Sequence, residues 1–452
     1  MNPAPPSAAP PASLWRWWVC LLLMLATVVN YMDRMALNQT ALRIKVGLGI
    51  DNTDYSSLES AFSLAFAIGA VCTGFIVDRV NVRWVYPVMV LGWSAAGVLT
   101  GFAPGFWFLL SCRFLLGLFE AGNWPCGIRT TRAILRPEER SFGNSLFQSG
   151  TALGAVITPL LVLALLRWAD PGEPHRNAVM AVTGGSYEVV AGGPGNTWQF
   201  PFRVIGSLGV VWVVLWFLTV PGRMLAPPAT AVETKDTAPS AFTAVFRDPR
   251  FWTLAVMVIA INVTWHGYRT WLPLYLQEQR GFTEAEMSRF TTLYYLTADI
   301  GSWTVGLGTL LLCWLGMSLH GSRMLAFAGC AVLTLASLLV PVLPDESWAE
   351  VVVAGVVFPL TPLRVGLLAV AFGGLGMFPT YFALTQELSA KHQGKVTGTL
   401  GACAHISLAL IYRIEGWLID VTGSFELVLG VIGAAPLVAL GLMLWKWRPG
   451  HE

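Results

Sequence analysis

Long apolar runs separated by short polar segments extend along the whole chain. A helix that crosses a bilayer needs about 20 consecutive apolar residues. Twelve runs are of about that length, six before and six after one hydrophilic segment: 15–36, 57–77, 84–103, 107–131, 142–167, 200–221, and then 251–276, 288–316, 323–343, 363–388, 396–418 and 425–447. The pattern predicts an all-α membrane protein with twelve transmembrane helices in two six-helix halves.

Polar and proline-rich segments set the expected domain boundaries. Residues 1–14 are rich in Pro and Ala and are predicted to be a disordered tail, and residues 222–250 are predicted to be a cytoplasmic linker. The N-terminal half would then occupy 15–221 and the C-terminal half 251–452. The apolar stretch 348–360 is short, so it is either a poorly placed thirteenth span or, as we prefer, an extension of a loop.

Composition excludes several classes of protein. The chain has 55% hydrophobic and only 12% charged residues, whereas a soluble domain has roughly 25% charged residues. A net charge of +2 is too small to indicate nucleic acid as a partner. Its seven cysteines form no CxxC pair. With no P-loop or nucleophile–base pattern either, we expect no cofactor, no metal and no enzymatic activity.

The distribution of Lys and Arg orients the predicted helices. Cytoplasmic loops of membrane proteins carry an excess of these residues. If the N-terminal tail is cytoplasmic, the segments on that side are the more basic ones, around 79–83, 132–140, 223–250, 391–395 and 446–448. We therefore expect a multi-pass protein of the inner (plasma) membrane, with both termini in the cytoplasm and the lipid bilayer as its surroundings.

Charged residues inside the predicted spans are the main candidates for chemistry, because such residues face the bundle interior or water. Arg113 and Glu120 are seven residues apart, so they share one helix face about 10 Å apart along the axis. Asp33 and Arg34 are adjacent and point about 100° apart. They are unsuited to neutralising each other, and Arg113 is the expected cation for Asp33. The alternative is that these charges brace helix ends.

A short motif follows the second predicted span. Gly74, Asp78, Arg79 and Arg83 form G-x-x-x-D-R-x-x-x-R, which resembles the signature between helices two and three of the major facilitator superfamily. Glycine lets two helices approach closely, and the arginines suit acids or helix C-terminal carbonyls. The alternative interpretation is an ordinary basic loop.

Longer segments resemble one branch of that superfamily. "NYMDR", "RFLLGLFEAGNWP" and "RPEERSFGNSLFQSGTALGAVITP" are similar to the anion:cation symporters, which include bacterial hexuronate and galactonate transporters, animal sialin and vesicular glutamate transporters. The resemblance implies a pore that carries an organic anion, most often a sugar acid, together with protons by alternating access. A small organic anion and protons are then the expected partners of a functional monomer.

The charged residues take hypothetical roles within that resemblance. Asp33 would accept a proton and pair with Arg113 when ionised, because desolvation and a nearby cation act on a carboxylate in opposite directions. Glu120 would be a second protonation site. Arg34 would meet the carboxylate of the substrate.

Polar and aromatic residues on other spans complete the predicted substrate site. Tyr31 suits a sugar hydroxyl or the membrane interface, and Arg269 is either a second anion contact or a side chain that extends to the interface. The resemblance implies that polar groups of the fifth helix and two residues of the tenth helix contact substrate, which gives Gln148, Thr151, Tyr381 and Phe382 as candidates.

Three other intramembrane residues keep open roles. His266 is typical of packing histidines. His405 suits substrate binding, a response to pH or packing. Asp299 suits a proton site, a gate or helix packing. The competing functions are a facilitator or exchanger of another carboxylate, such as a dicarboxylate, and a membrane sensor that does not transport; the short tails argue against the sensor.

Overall fold

Two groups of six membrane-spanning segments make up the fold, as the apolar runs predict. A computed structural model describes residues 13–77, 79–135, 137–169, 197–221, 225, 244–353, 356–388 and 393–446. Residues 1–12 of the predicted disordered tail and most of the predicted linker lie outside the described residues. Within the described part, helix α1 begins at Ser13, slightly before the expected start of the first half.

The N-terminal half contains long apolar helices and one short helix. Each long helix matches a predicted run, and the fourth span is divided into two helices. The helices are α1 (Ser13–Gln39), α2 (Ala41–Leu48), α3 (Asn52–Val77), α4 (Val82–Thr100), α5 (Phe106–Glu120), α6 (Asn123–Ile134), α7 (Pro137–Ala169) and α8 (Gln199–Thr219).

The C-terminal half repeats this arrangement. The tenth and twelfth spans of the chain, which belong to this half, are each divided into two helices. A 3₁₀ turn (Ala244–Arg247) precedes it, a π-helical turn (Tyr275–Gln279) ends its first span, and a 3₁₀ turn (Leu335–Leu339) ends its third. The helices are α9 (Pro249–Leu274), α10 (Glu284–Trp314), α11 (Leu319–Thr334), α12 (Pro362–Gly376), α13 (Phe378–Leu388), α14 (Gln393–Thr422), α15 (Phe425–Ala434) and α16 (Pro436–Lys446).

The ambiguous stretch 348–360 does not form a span. It forms a hairpin of two antiparallel strands, β1 (Ala349–Val353) and β2 (Val356–Leu360), in which Ala349 is paired with Leu360. A hairpin satisfies the backbone hydrogen bonds of this apolar stretch outside the bilayer, where no helix is required. The preferred interpretation, an extension of the loop before the tenth span, agrees with this structure.

Eleven helical segments of the described chain are long and apolar enough to cross a membrane. The twelfth span is α5 with α6, which together run from Phe106 to Ile134 with a break at Ala121–Gly122. The predicted count of twelve therefore holds.

The apolar core is continuous between the halves at one end of the bundle and separate at the other. One cluster contains residues of both halves, such as Met35, Tyr55 and Tyr294. A second cluster, around Trp216, draws on the N-terminal half and on Leu225 just after it, and a third, around Phe251, draws only on the C-terminal half. In the described residues, the halves thus pack together at the end where α1 ends and α3 begins, which we call the closed end. The opposite end, which holds the start of α1 and the 3₁₀ turn before α9, we call the linker end.

Glycine permits the closest helix contact near the site described below. A Cβ atom on Gly117 of α5 would overlap the backbone carbonyl of Phe62 on α3. A Cβ atom on Gly69 of α3 would overlap the carbonyl of Leu118 in the same way. Small residues therefore bring α3 and α5 into backbone contact, and this contact sets the depth of the charged residues that the two helices carry.

Candidate functional site

Buried charged side chains from both halves meet within the bundle. Arg34 of α1 donates two hydrogen bonds to Oε2 of Glu120 on α5, from Nε at 3.0 Å and from Nη2 at 2.8 Å. Both side chains are buried. Two charge-assisted bonds to one carboxylate oxygen fix the guanidinium in place. In this structure Arg34 is paired with Glu120, and its contact with the substrate carboxylate stays a prediction.

Aromatic rings surround the paired guanidinium. The Cζ atom of Arg34 lies 5.1 Å from the ring centroid of Tyr31, 4.9 Å from that of Phe62 and 5.2 Å from that of Phe66. Ring faces within about 6 Å attract a cation. Tyr31 thus contacts the charged centre through its ring, and its contact with a sugar hydroxyl stays a prediction.

A second ionic group connects the two halves, and its central residue is not among the candidates that the sequence suggests. Glu59 of α3 is fully buried and lies 3.0 Å from Nη2 of Arg269 on α9 and 3.5 Å from Nη2 of Arg113 on α5. Asn38 donates a hydrogen bond of 2.9 Å to Oε1 of Glu59 and another to the hydroxyl of Tyr55. One carboxylate therefore contacts an arginine from each half.

Arg269 extends inward and does not reach the membrane interface. Besides Glu59, it donates to the hydroxyl of Tyr412 on α14 at 3.4 Å. The interpretation that it extends to the interface is therefore wrong, and a contact with the substrate anion stays a prediction.

Asp33 differs from the other buried acids because its carboxylate has no hydrogen-bond donor. The side chain is 1% exposed, and neither oxygen is bonded to any described residue. It lies against α4, where a Cβ atom on Gly97 would be 2.8 Å from Oδ1.

The predicted ion pair between Asp33 and Arg113 is not formed in this structure. The acid beside Arg113 is Glu59, and the cation beside Glu120 is Arg34. All three guanidinium nitrogens of Arg113 are buried without a hydrogen bond to a described residue. The four predicted charges do lie in one region, but their partners differ from the expected ones because Glu59 also carries a negative charge there.

A polar triad supports the break between α5 and α6, next to Glu120. The Tyr86 hydroxyl donates to Oδ1 of Asn123 at 2.6 Å, and Nδ2 of Asn123 donates to the Thr27 hydroxyl at 3.1 Å. All three residues are buried. The triad ties α1 and α4 to the break and so positions Glu120 at the end of α5.

Two histidines border the charged region from the C-terminal half. The ring of His405 on α14 stacks on Phe66 of α3 at 4.4 Å, and the ring of His266 on α9 lies 6.2 Å from that of His405. Nδ1 of His405 is 3.0 Å from the Gly401 carbonyl, so this nitrogen carries the proton in the neutral ring. His405 therefore packs across the boundary between the halves.

The remaining predicted substrate contacts are scattered. Gln148 is exposed, and the hydroxyl of Thr151 donates to the Gln148 carbonyl within its own helix. Tyr381 is buried in the apolar cluster of the C-terminal half, whereas Phe382 is 38% exposed. The structure therefore does not bring these four residues into contact with the buried charges.

The motif between α3 and α4 is only partly visible. A Cβ atom on Gly74 would meet no atom of the described residues within 4 Å, so among them the predicted close approach at this glycine is not found. Asp78 lies outside the described residues. Arg79 is exposed, near the ring of Phe75. Arg83 donates to the carbonyl of Phe217 at 3.3 Å, close to the end of α8, which is the type of contact expected of it.

Polar contacts hold the halves together at the closed end. Arg43 and Glu284 form two hydrogen bonds of 2.7 and 2.8 Å, and Lys45 and Glu278 form one of 2.6 Å. Asp420 on α14 accepts four hydrogen bonds from the backbone and side chains of Asn52 and Thr53 at the start of α3. Arg413 on the same helix contacts Thr53 and Ser57 of α3.

Two more acids lie within the C-terminal half. Glu415 of α14 is buried and accepts a hydrogen bond of 2.8 Å from the indole of Trp271. Asp299 of α10 is half-buried and forms no hydrogen bond to a described residue. The described residues hold no cluster of His, Cys, Asp and Glu suited to a metal ion.

One signal in the sequence marks Glu59 as a candidate, although its place near the start of a run also suits the membrane interface. It is an acid inside the apolar run 57–77, and an intramembrane acid is a functional candidate by default. Glu415, inside the run 396–418, carries the same signal. Their partners are not visible in the sequence, because Arg113, Arg269 and Trp271 lie on other helices.

Solved structures share this fold. A bacterial homologue of the human lysosomal transporter Spinster, in an inward-facing and unoccupied conformation, superposes with a TM-score of 0.76 over 97% of this chain and 100% of its own, at 16% identity. A point mutant of the nucleoside transporter NupG superposes with a TM-score of 0.68 at 9% identity, over 95% of this chain and 100% of its own. At these identities the similarity concerns the fold alone.

Curated relatives align over nearly the full length. A hexuronate transporter of Escherichia coli K12 is 23% identical over 95% of this chain and 93% of its own. A probable sulfoacetate transporter of Cupriavidus necator is 25% identical over 92% and 89%, and a probable galactarate/D-glucarate transporter of Bacillus subtilis is 25% identical over 94% and 90%. These relatives confirm the resemblance to the hexuronate and galactonate type of anion transporter.

A family model described as Major Facilitator Superfamily matches residues 23–361, about three quarters of the chain. The match agrees with the two six-helix halves and with the full-length similarity to transporters. The chain is therefore a multi-pass membrane transporter rather than an enzyme, and it belongs to the Major Facilitator Superfamily.

Proposed function

We propose that this protein is a proton-coupled symporter of an organic anion, namely a sugar acid such as a hexonate or hexuronate, working by alternating access. The observation that carries the proposal is the burial of the Asp33 carboxylate without a hydrogen-bond donor among the described residues. This carboxylate lies between α1 and α4. A buried acid without a donor favours its neutral, protonated form, which is what a proton carrier needs.

Buried arginines supply the anion site in this proposal. Arg34, Arg113 and Arg269 are buried inside the bundle. These three cations form ion pairs with only two carboxylates among the described residues, those of Glu120 and Glu59. Planar guanidinium groups bind carboxylates in two-point geometry. The names of the relatives agree with this chemistry, because hexuronate, galactarate and glucarate carry carboxylates and sulfoacetate carries a carboxylate and a sulfonate.

Proton and anion are linked through exchange of partners. Asp33 accepts the first proton, and Glu120 is the second proton site. Protonation of Glu120 would release Arg34 from its two hydrogen bonds, so that this arginine becomes available to the acid group of the substrate. A proton thereby favours anion binding, and each ligand stabilises the state that the other prefers.

The direction of access follows from the asymmetry of the core. The halves pack together at the closed end, while their apolar clusters are separate at the linker end. With both termini in the cytoplasm, as the charge of the loops indicates, the linker end faces the cytoplasm of a cell whose inner membrane holds the protein. The structure would then correspond to an inward-facing state, which is also the state of the Spinster homologue with the same fold.

A second candidate is a facilitator or exchanger of a different carboxylate, such as a dicarboxylate, without proton coupling. The observation that favours it is the number of buried arginines, since three guanidinium groups suit an anion with two acid groups. The similarity to a probable galactarate/D-glucarate transporter points the same way.

Transport in proteoliposomes tests the proposal. The purified protein is reconstituted, and counterflow of glucuronate, galacturonate, galactonate, galactarate and sulfoacetate is measured with and without an inward proton gradient. We expect counterflow with at least one sugar acid and accumulation of that acid against its gradient only when the proton gradient is present. Counterflow without any accumulation driven by the proton gradient would favour the exchanger or facilitator, and no counterflow with any sugar acid would refute the substrate class.

A matched pair of variants assigns the proton site. Asp33→Asn should abolish accumulation driven by the proton gradient while counterflow persists. Asp299→Asn removes an intramembrane acid of α10 that forms no ion pair with the buried arginines among the described residues, and it should keep gradient-driven accumulation. Accumulation that survives in Asp33→Asn would show that Asp33 is not the proton carrier.

A further inference from the structure

Glu59 connects the two halves in a way that the other contacts between them do not. It lies on the N-terminal half and contacts Arg113 of its own half and Arg269 of the other. The pairs Arg43–Glu284 and Lys45–Glu278 also bridge the halves, but they are more exposed and are formed at the periphery of the closed end. Glu59 is fully buried, so its charge acts directly on the central arginines.

One negative charge is divided here between two positive ones. The carboxylate lies 3.0 Å from Arg269 and 3.5 Å from Arg113. The nitrogens of Arg113 form no hydrogen bond to a described residue, and neither does Nε of Arg269. Buried guanidinium groups with free donors are costly, so this pair of arginines would gain from a second acid group.

We propose that Glu59 is a tethered competitor of the transported anion: its carboxylate occupies the space between Arg113 and Arg269 that the acid group of the substrate takes when it binds. The proposal rests on the proposed function only in taking the substrate to be an organic anion. When that anion engages the arginines, Glu59 loses its hold on Arg269, and the contact between α3 and α9 is released.

The consequence is a link between binding and the closed end. A bound anion and the Glu59–Arg269 contact use the same guanidinium groups, so both cannot be fully satisfied together. The empty site then keeps its own internal counter-anion and avoids leaving two buried cations unpaired, which is a strongly unfavourable state. Glu59 therefore lowers the affinity for substrate and aids its release.

Anion binding to purified Glu59→Gln tests this competition. A tethered group competes at an effective concentration of roughly millimolar or more, so removing its charge should strengthen anion binding about tenfold or more. Acetate is the first probe because it carries only the acid group; D-glucuronate is the second. Affinity is read from the dependence of thermal unfolding on anion concentration in detergent.

Glu278→Gln is the matched control. It removes an acid that also bridges the halves, through Lys45, but does not touch the central arginines. If Glu59 acts only by holding the closed end together, both variants will change anion affinity to the same extent. We expect Glu278→Gln to stay within about twofold of the unmodified protein, a span set by the small energies of exposed ion pairs.

Further variants keep the proposal testable if Glu59→Gln does not fold. Glu59→Asp keeps the charge but shortens its reach, and it should strengthen acetate binding by a smaller factor. Glu59→Gln/Arg269→Gln should lose the gain. Unchanged acetate affinity in both Glu59 variants, or an equal gain in Glu278→Gln, would overturn the proposal. Because acetate is not a sugar acid, this outcome is independent of whether sugar acids are transported.

Discussion

Replacement of the buried pair Arg34–Glu120 gives the most quantitative prediction. Three variants are compared: Arg34→Met, Glu120→Leu and the double variant. In the structure the two side chains are 5% and 0% exposed, and two hydrogen bonds of 3.0 and 2.8 Å join them. Each single variant leaves one charge buried without its partner.

The expected magnitudes follow from this burial. Removing one member of a buried ion pair costs about 3–5 kcal/mol, whereas replacing both by apolar residues is often neutral or stabilising. Attraction to the rings of Tyr31, Phe62 and Phe66 partly compensates an unpaired Arg34, by about 0.5–2 kcal/mol in total. Glu120→Leu should therefore cost about 2–4 kcal/mol and the double variant about 1 kcal/mol or less.

Equilibrium unfolding of the purified variants in mixed micelles measures these free energies. The losses of unfolding free energy in the two single variants should together exceed the loss in the double variant by about 3 kcal/mol or more. Independent sites would give a difference of only roughly 0.5 kcal/mol. Additive effects within that margin would refute the reasoning, because they would mean that the two charges do not stabilise each other in the folded protein.

Three other predictions address helix contacts. Gly117→Ala places a methyl group on the backbone of α3 and should lower the unfolding free energy by about 1–3 kcal/mol, measured in the same micelles. Gly97→Ala brings a Cβ atom to 2.8 Å from the carboxylate of Asp33 and should weaken gradient-driven uptake more than counterflow in proteoliposomes. Asp420→Asn removes a charged acceptor that binds Thr53 through two hydrogen bonds and should speed thiol labelling of a cysteine placed at the closed end.

The sequence predicts the fold well because the bilayer restricts the possible structures. Backbone groups in hydrocarbon must be satisfied within each segment, so an apolar run of sufficient length becomes a helix. This is why predicted and observed spans agree closely, as in 200–221 and Gln199–Thr219. The stretch 348–360 is ambiguous in the sequence because it is apolar but too short to span, and in the structure it forms a hairpin.

Partners of buried charges are much harder to predict. Helical spacing shows which residues share a face, and it places Arg113 and Glu120 correctly inside the bundle. It does not show which neighbouring helix lies opposite that face. Arg34 therefore pairs with Glu120, although its position in the sequence suggests a contact with substrate, and Asp33 packs against Gly97 instead of meeting an arginine.

The largest omission, Glu59, has a physical cause of its own. A single acid near the start of an apolar run resembles a residue at the membrane interface, where charge is inexpensive. Its importance comes from the approach of α3 to α5 and α9, which brings Arg113 and Arg269 to one carboxylate. The approach of α3 to α5 depends on backbone contact at Gly117, which is a property of the packed structure and not of either helix alone.

These contacts place a constraint on how affinity can change in this chain. Glu59 is bonded to Arg269 at the boundary between the halves and also contacts Arg113. A substitution that frees the arginines for tighter anion binding therefore also weakens one of the contacts that hold the closed end together. One carboxylate, that of Glu59, therefore sets a balance between tight anion binding and fast anion release. In variants selected for a high transport rate, we expect Glu59 and Arg269 to change together and neither to change alone.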